Sequence, residues 1–103
     1  MYKLLFTVPE SHLEEVKQAI FAAGAGKADN YSHCCWQTQG QAQFLPLPGS
    51  KPFIGKVNQL EKVEEYQVTT LCETADMKNI IAALKDAHPY EVPFYLVLKA
   101  EDF

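Results

Sequence analysis

The sequence has no arginine: its nine cations are all lysines, set against thirteen acidic residues for a formal charge of −4. Without the guanidinium fork there is no planar bidentate donor for phosphate or guanine, and an acidic balance opposes a phosphate backbone, so nucleic acid is not an expected partner. Cysteine is scarce and odd in number, with Cys34, Cys35 and Cys72 alone. No export context surrounds them, and reduced thiols are expected rather than a disulfide framework. Long apolar runs are also missing. The N-terminal stretch MYKLLFTVPE carries one lysine, and its apolar run stops at Pro9 and Glu10. That is too short for a signal peptide or a membrane span, so a cytoplasmic chain with no membrane partner is expected.

What remains is an ordinary globular balance, 48% apolar and 21% charged over 103 residues. The length suits one hydrophobic core and not two, and a single domain over 1–103 is expected.

Periodicity then sorts the chain into elements. Residues 2–8 alternate Tyr2, Leu4, Phe6 and Val8 against Lys3, Leu5 and Thr7, the pattern of a strand. Leu13, Val16, Ile20 and Ala23 follow on one helical stripe, with Ser11 and Glu14 at capping-box spacing and Gly24 and Gly26 as stop signals. From Ser32 the pattern turns extended, with Gly40 expected to mark a turn or a bulge. A proline- and glycine-rich connection occupies about residues 46–59. The second half of residues 60–73 is β-prone and is expected to pair with the strand before the connection. Met77, Ile80, Ile81 and Leu84 then share a second helical face, with Thr74 as its expected cap and Pro89 as its stop. Val92, Phe94, Leu96 and Leu98 alternate along a closing strand. The order β-α-β-β-α-β is that of an α+β, ferredoxin-like split-βαβ fold, with two helices on one face of an antiparallel sheet.

Four motifs invite chemistry. In NYSHCCW, residues 30–36, strand alternation places Cys34 and Trp36 on one face and His33 and Cys35 on the other. The two cysteines then cannot grip one ion; the plain reading is a packed strand with buried thiols. His33 and Cys35 supply two ligands suited to zinc or copper, with no third indicated by spacing. GAGK at Gly24–Lys27 fails as a phosphate loop, since Phe21 and Ala28 stand where the loop needs glycine and serine or threonine. In EKVEEY, Glu61, Glu64 and Glu65 read as a solvated strand start, with a hard-cation cluster as the alternative. His88 and Glu91 flank the joint after the second helix. They read either as structural or as a polar pocket in which Glu91 orients His88. No nucleophile, base and orienting acid form a recognisable set, and a non-catalytic protein is expected.

The stretch DAHPYEVPFYLVLKA resembles the HPYEV signature of the CutA divalent-cation-tolerance proteins, which are trimers related to PII signal proteins. GAG at Gly24–Gly26, NYSHC at Asn30–Cys34 and GQAQFLPLPGSKPFIG at Gly40–Gly55 are similar to the PII/CutA-like insert domain of Nif-three-like proteins of the YqfO type. The chain departs from that pattern at Ala42 (glycine expected), Cys35 (serine) and Val92 (a second acid). The resemblance implies the insert standing alone, without the dinuclear-metal halves, so cyclohydrolase chemistry does not carry over. It further implies a homo-oligomer, a trimer, with a small ligand or protein partner held at a subunit cleft by His88, Tyr90, Glu91, Asn30 and Tyr31. The alternative it implies is a copper or zinc protein using His33, Cys35 or His88. In PII proteins the connection at 46–59 is a signalling loop; its prolines here suggest a stiffer arm for oligomer or partner contact.

Overall fold

Alternation along β1 (Tyr2–Pro9) divides its side chains between two environments: Leu4, Phe6 and Val8 are fully buried, whereas Lys3 is exposed and Leu5 and Thr7 are half-buried. A computed structural model, describing residues Met1–Phe103, shows what lies on each side. The remaining elements are α1 (Leu13–Ala22), β2 (Trp36–Phe44), β3 (Glu61–Cys72), α2 (Met77–Ala87) and β4 (Tyr95–Lys99), with 3-10 turns at Glu10–His12 and Thr74–Asp76 leading into the helices. The strands form one antiparallel sheet in the order β2-β3-β1-β4, the split-βαβ topology.

Both helices pack on one face of that sheet. Leu13, Val16, Ile20 and Phe21 of α1 and Ile80 and Leu84 of α2 close over Leu4, Phe6, Val8 and Val68. Each such side chain stabilises the fold by roughly 1.5–3 kcal/mol, so this layer is where its stability is concentrated. The other face has no helix. There the register aligns Trp36, Thr69, Leu5 and Leu96 across all four strands, beside a second row of Leu71, Lys3 and Leu98. Trp36, Leu71, Leu96 and Leu98 are each about half exposed or more, at 64%, 48%, 47% and 51%.

Several local expectations are corrected. The segment 30–35 is not a strand: Asp29 and His33 take left-handed backbone angles (φ 51° and 62°), and regular pairing begins at Trp36. A left-handed residue breaks the alternation, so Cys34 and Cys35 are both exposed and only Cys72 is buried. Trp36 lies on the open face instead of in the core. The loop is sutured to β3, where the Thr70 hydroxyl donates to the Cys34 carbonyl at 2.7 Å and the Gly26 N–H donates to the Leu71 carbonyl at 2.9 Å. Gly26 is required by this close approach: at φ +75°, a Cβ would sit 2.7 Å from the Cys34 oxygen. Gly40 makes neither turn nor bulge, because β2 pairs continuously from Trp36 to Phe44. Neither helix has a side-chain cap; Ser11 Oγ pairs with His12 Nδ1 at 2.9 Å, and Thr74 Oγ1 accepts from the N-terminal ammonium at 3.3 Å. The 3-10 turns separate both residues from the positions a cap must occupy.

Candidate ligand cleft

The connection between β2 and β3 does not project as an arm. Its backbone folds on itself through Asn58 N–H to the Pro46 carbonyl (2.7 Å) and Ser50 N–H to the Leu47 carbonyl (3.1 Å). Its apolar tip then returns to the body: Phe53 stands edge-on to His12 at 5.3 Å and lies 6.2 Å from the Tyr90 ring. The Lys51 N–H donates to Glu91 Oε1 at 3.1 Å, tying the connection to the segment that follows α2. Between these two segments and the open face of the sheet lies a cleft of about 460 Å³, within the range of small-molecule sites. Phe44, Phe53, Ile54 and Phe94 supply apolar walls, and Thr7, Glu65, Tyr90 and Glu91 supply polar groups.

Glu65 and Tyr90 form its base. Although Glu65 is only 4% exposed, its Oε2 accepts a hydrogen bond from the Tyr90 hydroxyl at 2.5 Å. Burial, together with that bond and the charge of Glu65, raises the Tyr90 pKa, so the phenol remains a donor. Behind Tyr90 sits His88, 5% exposed. Its Nε2 lies 2.8 Å from the Thr7 carbonyl and its Nδ1 accepts from the Tyr90 N–H at 3.1 Å. A carbonyl can only accept, so Nε2 carries the proton and the ring is the neutral tautomer with both nitrogens engaged. Burial lowers its pKa, in keeping with that state. His88 therefore positions Tyr90 and does not itself face the cleft.

Of the sequence-expected ligand residues, the structure brings His88, Tyr90 and Glu91 together. Asn30 and Tyr31 are exposed at the far end of the sheet, beside the Gly26–Leu71 contact. Glu91 pairs with Lys51 and not with His88. Of the acidic run, Glu64 accepts from Gln39 Nε2 at 3.2 Å, while alternation along β3 turns Glu65 to the opposite face, so the three carboxylates do not cluster. The expected metal residues do not fit a copper or zinc centre within one chain: His33 and Cys35 lie on the α1–β2 loop, His88 is at the other end of β1 with no free nitrogen, and no three His, Cys, Asp or Glu side chains converge. The sequence reading missed Glu65 as a buried group, and Phe44 and Phe53 as walls. For Phe53, the available signal was its place as an apolar residue in the proline- and glycine-rich connection.

No family model matches the chain. It is 41% identical over 95 residues to a GTP cyclohydrolase 1 type 2 homolog of Halalkalibacterium halodurans, covering 92% of this chain but 26% of that relative. Among solved structures, a Bacillus cereus protein related to NIF3 superposes with a TM-score of 0.84 at 37% identity, over 98% of this chain and 26% of that one. The chain thus spans about a quarter of the length of these relatives. The periplasmic divalent cation tolerance protein CutA from Archaeoglobus fulgidus matches over 100% of this chain and 87% of its own, with a TM-score of 0.70 at 13% identity, a likeness of fold. The chain is similar to one segment of NIF3-related proteins, and its fold is that of CutA.

Proposed function

We propose that residues 1–103 act as one non-catalytic CutA-like module that associates with copies of itself and binds a small ligand or protein partner in the cleft between Phe44, Phe53 and Tyr90. The observation that carries this reading is that the cleft opens on the same helix-free sheet face as the apolar rows of Trp36, Leu5, Leu71, Leu96 and Leu98. An exposed apolar face of this extent marks an interaction surface. Covering it with another copy places the cleft at a subunit boundary, and the resemblance to CutA favours a trimer. The reading places the module in the cytoplasm, where exposed Cys34 and Cys35 stay reduced; no helix is long and apolar enough to cross a membrane. Light scattering after size exclusion tests the assembly: the chain should elute as an oligomer and Leu96→Asp as a monomer. A wild-type monomer at micromolar concentration would refute self-association.

A second reading, copper or zinc binding, is supported by the exposed His33 and Cys35 and by the name of the Archaeoglobus protein. It requires further ligands from a neighbouring copy. Calorimetric titration under reducing conditions should then show binding that His33→Ala with Cys35→Ser abolishes.

A further inference from the structure

The cleft carries two carboxylates, Glu65 and Glu91, and none of the nine lysines lines it. Glu91 is engaged by the Lys51 backbone N–H, while Glu65 accepts only the Tyr90 hydroxyl, on Oε2. A carboxylate has acceptor sites on both oxygens. No buried side-chain oxygen lacks a partner, so the second oxygen of Glu65 reaches open space even though the residue is 96% enclosed.

That space is defined by β2. Gly40 stands directly opposite Glu65 in the ladder, and a Cβ there would meet nothing within 4 Å. Its backbone is not left-handed, so glycine is not needed for conformation. A side chain there would instead enter open space on the same sheet face as Glu65. A polar hollow of about 140 Å³ lies there, bounded by Thr38, Gly40, Gln41 and Gln67, and it shares Thr7, Ala42 and Glu65 with the larger cleft. Glu65 thus sits where a small polar chamber meets a large aromatic one.

We infer that the cleft takes a small organic cation, its ammonium group held in the hollow against Glu65 and its apolar body between Phe44, Phe53 and Tyr90. The inference rests on the reading of the cleft as a ligand site and adds the chemistry of the occupant. An anion would meet two carboxylates with no lysine to offset them. A neutral molecule of the same shape would fill the aromatic chamber but form only an ordinary hydrogen bond where a cation forms a charge-assisted one, about twice as strong. The aromatic walls favour a cation further.

Three probes of one skeleton test this by NMR titration of the isotopically labelled full chain: 2-phenylethylamine, 2-phenylethanol and phenylacetate. The amine should shift the amide signals of Gly40, Phe44 and Tyr90 saturably and bind roughly tenfold more tightly than the alcohol, the equivalent of one charged hydrogen bond over a neutral one. Glu65→Gln should remove that preference and leave alcohol binding in place. Gly40→Val, whose Cβ meets nothing within 4 Å and which adds a side chain to the rim of the hollow, should weaken the amine selectively, and it carries the test if Glu65→Gln does not fold. Equal binding of amine and alcohol to the wild type, or an undiminished preference in Gly40→Val, overturns the inference while the ligand cleft stands. If none of the three moves these signals, the cleft reading itself fails. A lysine-bearing peptide that binds far more tightly than the amine would replace the small molecule with a protein partner.

Discussion

The hydroxyl of Tyr90 donates to Glu65 Oε2 at 2.5 Å, joining the segment after α2 to β3 across 25 positions of sequence. This bond gives a nearly buried carboxylate its protein donor and fixes the ring that floors the cleft. Tyr90→Phe should therefore destabilise the fold by roughly 1.5–3 kcal/mol, the range for hydrogen bonds to charged groups. In Glu65→Gln the charge is absent, and Tyr90→Phe should cost less on that background. A double-mutant cycle by urea unfolding measures the difference; strict additivity would show that the charge of Glu65 adds nothing to the bond.

Trp36→Ala should cost less than about 1 kcal/mol in the unassociated chain, since a 64% exposed side chain leaves no core cavity when truncated. Its effect should appear in the oligomer, as a weaker dissociation midpoint on dilution. A loss above about 3 kcal/mol in the monomer, the size of a core truncation, would place the indole in the interior after all.

The sequence foretells the helix-covered layer well, because Leu4, Phe6, Val8, Val16, Ile20, Ile80 and Leu84 obey local periods of two or 3.6 and are buried where those periods put them. Trp36 escapes the same logic. One left-handed residue within NYSHCC, His33, breaks the alternation that leads up to it, and nothing in the run announces that angle. Glu65 is hidden for another reason. Within EKVEEY it is one acid among three, and its burial comes from Tyr90 and the open face of β1, contacts that only the tertiary fold creates. The joint HPYE is legible as a place where function gathers, but the division of labour within it is not, since His88 turns inward and Tyr90 outward.

Thiol reactivity should separate the three cysteines. Cys34 and Cys35 are exposed, whereas Cys72 is 2% exposed, and burial followed by the nearby charge of Asp76 pushes its pKa up to about 11. An alkylating reagent near neutral pH should modify Cys34 and Cys35 in the folded chain and reach Cys72 only on unfolding. Mass spectrometry of the partially labelled protein checks the order. Early labelling of Cys72 would contradict the packing of β3 beneath the helices.

Acid should weaken the fold through His88. Burial is the main cause that lowers its pKa below the ordinary 6.5; the hydrogen bond to Thr7 and the charge of Glu65 oppose it, and His12 reinforces it. Between that lowered value and 6.5 the unfolded chain binds a proton that the native chain does not. Protons therefore favour the unfolded state: this contribution to stability is fully present above 6.5 and is lost as the pH falls toward the native value. The slope from one such group is at most about 1.4 kcal/mol per pH unit, and it levels off once both states are protonated. Protonating Nδ1 also removes the acceptor for the Tyr90 N–H, so the floor of the cleft should loosen over the same range. NMR titration of the His88 ring should give a midpoint below 6.5, with the Tyr90 amide shifting in step. Urea unfolding at a series of pH values should show the decline in the wild type and a flatter profile in His88→Gln. A His88 midpoint at or above 6.5 would remove this acid sensitivity, because the native ring would then bind its proton at least as readily as the unfolded chain.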